Sequence, residues 1–290
     1  MAIAGLENLG RNTGIHAVSG FIKLYSKSGW YTKKDLESQE MKKGVILLGI
    51  VMGVLFAGCA TSSHTVSKEK EASAHYKLGV SYLNDNATQA AFLEFQKAID
   101  INPKDKLAHY GLGHIYYVQN RYADSLKEFE RVVKIDPEYS EAYNYSGTVY
   151  EAMGDLNSAL KQYQLALKNQ LYQTPQYVHY NISGVYFKQQ KYQEAISELQ
   201  QAVHIDPGYA LAYRSLGEVY LKVGDENSAL KSLEESSKLF PGDPLTHFKL
   251  GEIYLKNKLY PKADMEFKKV VSLVPDSDLA KEAKKHIERR

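Results

Sequence analysis

From residue 72 onward, apolar and small residues recur at helical spacing in pairs of short stripes. Within each stretch of 34 residues, positions 4, 7, 8 and 11 share one helical face, and positions 20, 24 and 27 share another. Counting Ala72 as position 1, the units begin at residues 72, 106, 140, 176, 210 and 244. Pro103 and Pro137 stand 34 residues apart at position 32, and Pro207, Pro241 and Pro275 keep the same spacing. The gap from Pro137 to Pro207 is two periods plus two residues. Proline has no N–H and disfavours helix in the residue before it, so each one ends a helix pair and sets up the next.

The columns of this register have a physical reading. Position 8 holds Gly79, Gly113, Gly147, Ser183, Gly217 and Gly251; position 20 holds Ala91, Ser125, Ala159, Ala195, Ala229 and Ala263. Small residues in both columns predict that the two helices of a unit cross closely there. Position 24 supplies a large knob: Phe95, Phe129, Tyr163, Leu199, Leu233 and Phe267. Position 11 is tyrosine in every unit (Tyr82, Tyr116, Tyr150, Tyr186, Tyr220 and Tyr254), which accounts for much of an excess of 23 Tyr over a single Trp. A tyrosine there can bury its ring while its hydroxyl reaches a polar partner.

Two short amphipathic helices cannot bury both faces alone, so the units must stack and share stability along the array. Small 8, Tyr 11, small 20, Phe-like 24 and Pro 32 together resemble the tetratricopeptide repeat (TPR). The resemblance implies an all-α fold, an α-solenoid superhelix of six TPRs at 72–105, 106–139, 140–173, 176–209, 210–243 and 244–277. The charged segment 278–290 reads as a C-terminal capping helix. The Trp usual at position 4 is absent; His75, His109, Tyr143, His179, Tyr213 and His247 stand there.

The front of the chain is different. Met41-Lys42-Lys43 precedes fourteen uncharged residues, Gly44 to Ala57, and then Gly58-Cys59-Ala60. A short basic segment, a short apolar run and small residues before a cleavage point spell a secretory signal peptide at 41–58. The run is short for a membrane span, which takes about 20 apolar residues. Phe56-Ala57-Gly58-Cys59 resembles the bacterial lipobox, with Phe56 where that class usually has Leu. The resemblance implies lipidation (palmitate among the acyl chains) at Cys59, and Ala60 after it implies passage to the outer membrane. Residues 59–71 then form the lipidated Cys and a flexible polar tether. Residues 1–40 read as an over-extended start assignment or a disordered tail, with translation expected from Met41.

Chemistry narrows the picture further. The excess positive charge lies in the first 58 residues, which leaves a nearly neutral body with no electrostatic reason to bind nucleic acid. One cysteine permits neither an internal disulfide nor a Cys-based zinc site. The four position-4 histidines face the core of successive repeats, too far apart to share one ion, so no metal site is expected. Gly111-Leu112-Gly113 lacks the third glycine and the strand of a dinucleotide fingerprint. Glu234 and Glu235 fall on a solvated helix face. No catalytic residue, cofactor or small-molecule substrate is expected, and the chain reads as a non-enzyme.

In TPR proteins the first helix of each repeat lines the concave face through positions 2, 5, 9 and 12. Those positions place Tyr76, Leu83, Leu107, Tyr110, Tyr117, Tyr177, Tyr180 and Phe187 in a candidate partner-binding groove across repeats one, two and four. Grouped aromatics of this kind suit a peptide with apolar anchors; the other reading buries these rings between helices. The carboxylate clamp of chaperone-binding TPRs is disfavoured by Tyr76 and Val80 at positions 5 and 9 of the first repeat.

A lipobox, a short tether and six TPRs resemble the type IV pilus biogenesis and stability lipoproteins, the pilotin group. The Leu-Gly-x-x-Tyr-Leu run from Leu78 to Leu83 carries the likeness. So does Leu171-Tyr172-Gln173-Thr174-Pro175, which falls where the register needs two extra residues. The resemblance implies a scaffold in the bacterial cell envelope, anchored at the outer membrane and facing the periplasm, that supports assembly of the secretin pore. A generic envelope scaffold, as in polysaccharide export, and a regulatory or substrate-presenting subunit of an enzyme are the alternatives.

Overall fold

The computed structural model describes residues 67–288 and the backbone of strand residues 15–18, 21–26 and 29–30. Cys59, the apolar run before it and residues 59–66 of the expected tether lie outside the described residues. The chain divides into two units, Met1–Glu71 and Ala72–Arg290. In the first, strands β1 (Ile15–Val18), β2 (Phe21–Ser26) and β3 (Gly29–Trp30) form an antiparallel meander in the order β1-β2-β3. Its register pairs Val18 with Phe21 and Ser26 with Gly29. These strands lie within the stretch 1–40.

The second unit is an all-α solenoid. Helix α1 spans residues 67–84. It begins five residues before the first repeat's register, so the end of the expected tether, 67–71, is helical. Eleven helices complete the six pairs: α2 (Thr88–Ile101), α3 (Lys106–Val118), α4 (Tyr122–Ile135), α5 (Ser140–Ala152), α6 (Leu156–Ala166), α7 (Pro175–Lys188), α8 (Tyr192–Ile205), α9 (Ala210–Val223), α10 (Glu226–Leu239), α11 (Pro244–Lys256) and α12 (Tyr260–Leu273). The cap is α13 (Asp278–Glu288), which buries Ala280 and Ala283 and lays His286 flat on Phe267 at 4.9 Å. Helix α6 is shorter than its counterparts, and the two extra residues of the register fall in the connection after it, which ends with Pro175 in the first turn of α7.

The small and large columns interlock as the register requires. A Cβ on Gly79, Gly113, Gly147 or Gly251 would come within 2.5–2.6 Å of the ring at position 24 of its own unit. Phe95 is gripped from both sides, because Gly111 of the next repeat approaches it equally closely. The knobs Phe95, Phe129, Tyr163, Leu199, Leu233 and Phe267 are all fully buried, as is every residue of the position-20 column. Each knob contributes about 1.5–3 kcal/mol by leaving water, which is how units of two short helices hold together.

Each pair turns by one repeated device. The N–H of position 16 donates to the carbonyl of the position-11 tyrosine, from Ala87 to Tyr82 at 2.8 Å through to Leu259 to Tyr254 at 2.8 Å. Position 15 takes a positive φ in every unit: Asn86, Asn120, Gly154, Gln190, Gly224 and Lys258. This Schellman closure suits glycine and tolerates asparagine, whereas a longer side chain is strained there by about 1–2 kcal/mol. Lys258→Gly is therefore expected to stabilise the protein by about 0.5–1 kcal/mol, net of the added freedom of the unfolded chain. Thermal melts check it beside Gly154→Ala, which should melt lower than wild type; a Lys258→Gly protein that melts lower contradicts the reading.

Candidate functional site

The candidate groove residues are distributed unevenly between packing and exposure. Tyr110 is enclosed by Tyr139 at 5.4 Å, Tyr145 at 5.7 Å and Phe129 at 5.8 Å, and burial pushes its hydroxyl pKa far up. Tyr117 leans on Tyr122 at 6.1 Å at the edge of the same cluster. Tyr76 sits 5.8 Å from Phe95, and Leu83 packs on that cluster; Leu107 is half-buried. In repeats one and two, the rings and Leu83 thus serve chiefly as packing.

Repeat four differs. Tyr177 is 44% exposed and meets Tyr209 edge-on at 5.3 Å, and Tyr180 rests on the same ring at 5.3 Å. Phe187 packs against Tyr192 at 5.7 Å. Tyr180 and Phe187 stand at the wall of a cleft of about 290 Å³ that opens among α5, α7, α8 and α9. The cleft exists because Ser183 and Gly184 stand in adjacent positions of α7. A Cβ on Gly184 would meet nothing nearer than a Glu151 oxygen at 3.8 Å.

The rim is polar and partly committed. Glu151 accepts from Lys188 Nζ at 2.8 Å and from the hydroxyl of Tyr163 at 2.9 Å. Asn181 Nδ2 donates to Asn144 Oδ1 at 3.0 Å, tying the first helices of repeats three and four together. On the far side Glu218 stands 3.8 Å from Arg214, whose guanidinium is held by both oxygens of Asp243 at 3.0 and 3.2 Å. The lining therefore offers apolar rings, a carboxylate at each side and one ammonium. Such a surface can take a side chain with an apolar body while the amides and carboxylates orient its backbone or polar end.

Sequence reasoning placed Tyr180 and Phe187 here but did not single out Asn181, Lys188 or the hollow itself. The available signal was repeat four: the one serine in the position-8 column is followed by the one glycine at position 9. It also missed His114, whose pKa burial lowers to about 4 and which sits 3.8 Å from the Tyr145 ring, so it packs as a neutral residue. Tyr139 and Tyr209 were legible too, since tyrosine at position 34 accompanies tyrosine at position 5 in both repeats. Each position-4 histidine engages a glutamate nineteen residues on, and among the described residues no group of three or more metal-ligating side chains comes together. No helix among the described residues is long and apolar enough to cross a membrane.

Fold and site together define a tetratricopeptide-repeat solenoid, a scaffold class that serves protein–protein interaction. A family model described as a TPR repeat matches residues 113–154 and 185–224, and one described as a tetratricopeptide repeat matches 72–105, the bounds of the first unit. No curated protein matches the chain in sequence. Among solved structures, pilF of Pseudomonas aeruginosa is similar with a TM-score of 0.68 and 16% identity, over 76% of this chain and 99% of that one. PilW, a type IV pilus biogenesis factor, gives 0.66 and 16% over 73% and 97%. A chain of the APC/C hetero-tetramer Cut9–Hcn1 gives 0.62 and 19% over 74% of this chain and 42% of that one. At such identities the likeness is one of fold.

Proposed function

We propose that this protein is a non-catalytic scaffold of the bacterial cell envelope, lipid-anchored through Cys59 at the outer membrane, that assists type IV pilus biogenesis by supporting assembly of the secretin. The observation that carries the reading is the extent of the structural likeness. The repeat stack of this chain corresponds to nearly the whole of pilF and PilW, end to end. The lipobox-like segment before the stack supports the anchor, because an acyl-bearing N-terminus would hold the repeats at a membrane surface. The cleft beneath Tyr180 and Phe187 supplies the contact for a protein segment.

Affinity capture from detergent-solubilised envelopes tests it. The protein should fractionate with membranes, Cys59→Ala should release it, and the captured partner should be the secretin. Capture of a polysaccharide-export component or of an enzyme would favour the corresponding alternative and end the pilus reading.

A further inference from the structure

The histidines of position 4 form a unit with position 23. Where position 4 is His75, His109, His179 or His247, position 23 is Glu94, Glu128, Glu198 or Glu266; where it is Tyr143 or Tyr213, position 23 is Gln162 or Ser232. Each histidine meets its glutamate through Nδ1 at 2.6–2.7 Å.

Two of the four carry a second bond. His109 Nε2 lies 3.1 Å from the carbonyl of Pro103, and His247 Nε2 lies 2.8 Å from the carbonyl of Pro241. Both prolines close the preceding repeat, so each ring ties together the end of one repeat and both helices of the next. Both histidine side chains are only 3% exposed, and their glutamates 8% and 6%.

A carbonyl can only accept, and so can an ionised carboxylate. A neutral imidazole carries a single N–H. Between two such acceptors it must turn one lone pair toward another at hydrogen-bond distance, with the ring almost wholly buried. The arrangement is satisfied only with one more proton, shared between the ring and its carboxylate. His75 and His179 make only the Nδ1 contact among the described residues and are 27% and 19% exposed, so their neutral form is satisfied.

We infer that His247 is a proton-operated clamp, which tightens the junction between repeats five and six as pH falls through neutral and loosens it as pH rises; His109 builds the same two-acceptor contact between repeats one and two. The charged surroundings fit this. Glu128 is backed by Arg131 at 3.0 Å, with Lys134 nearby but paired to Glu130, and Glu266 is backed by Lys269 at 3.0 Å.

The sign follows for His247, whose pKa is raised above 6.5, chiefly by its bond to Glu266 against the opposing effect of burial. Its contribution to stability is complete below the unfolded pKa of about 6.5 and is lost as pH rises through the higher folded value. Glu266 sets the acid limit. Burial raises its pKa, but the bonds to His247 and Lys269 outweigh this and hold it below 4.5. Its share therefore fades only as pH falls through that lowered value.

The test is urea unfolding of the full chain from pH 5.5 to 9, with imidazole nitrogen NMR on the wild type. The unfolding equilibrium constant should rise with pH, about tenfold for each pH unit by which the folded titration of His247 lies above the unfolded one. His247→Gln should flatten that rise; His75→Gln with His179→Gln should keep it. Should His247→Gln fail to fold, the NMR decides alone: His247 must hold protons on both nitrogens, or one shared with the Glu266 carboxyl, at pH 6. Equal slopes in the two variants, or a neutral His247 ring beside an ionised Glu266 at pH 6, would overturn the inference.

Discussion

Tyr163→Ala should cost the protein about 3–5 kcal/mol, the largest single loss expected from the repeat columns. The ring is fully buried as the position-24 knob of the third unit, seated against Gly147 with no room on that side. Its removal opens a cavity that neighbouring helices cannot close, because small residues already hold them near contact. The hydroxyl adds a second role, since it donates to Glu151 at 2.9 Å and so joins the core of repeat three to the rim of the cleft. Tyr163→Phe keeps the ring and loses that bond together with the longer contact to Thr148 Oγ1 at 3.4 Å, so about 1 kcal/mol is expected, with Glu151 still held by Lys188. Chemical denaturation of both variants separates the terms; equal losses would mean that the hydrogen bond, not packing, anchors the unit.

Gly113→Leu should also destabilise strongly, by roughly 1–3 kcal/mol, although leucine is the better helix former by somewhat under 1 kcal/mol. A Cβ at this site would lie 2.6 Å from the buried Phe129 ring. The hydroxyl of Ser125 binds the Gly113 carbonyl at 2.7 Å and fixes the crossing further. The same change at Gly184 is its control: there the space is open, and stability should hold or rise. Similar melting losses at both positions would remove the close-crossing explanation for the glycine column.

The fold was legible because its determinants are periodic. Six copies of one register place small residues opposite large knobs, and the structure seats five of the six knobs against the glycine of their own unit. What escaped was conformation and context. The left-handed turn at position 15 hides behind four residue types, since the backbone closure dictates it whether the residue is Asn, Gly, Gln or Lys. Tyr110 and Tyr180 occupy the same repeat position, yet one is walled in by Tyr139, Tyr145 and Phe129 while the other stands at a cleft. Position alone cannot distinguish them. The difference arises from neighbours in adjacent repeats and from Gly184, whose missing side chain leaves the hollow. Likewise, the histidine column read as core-facing, but its pairing with glutamate nineteen residues away appears only when both helices of a unit are laid together.

The scaffold reading is tested most directly by capture from solubilised envelopes with wild-type protein and Gly184→Leu side by side, both first shown to be folded by their melting curves. If the cleft among α5, α7, α8 and α9 receives the partner, leucine at 184 fills it, and the partner recovered with the wild type should be lost. Recovery of the same partner in the same yield by both proteins would contradict the account.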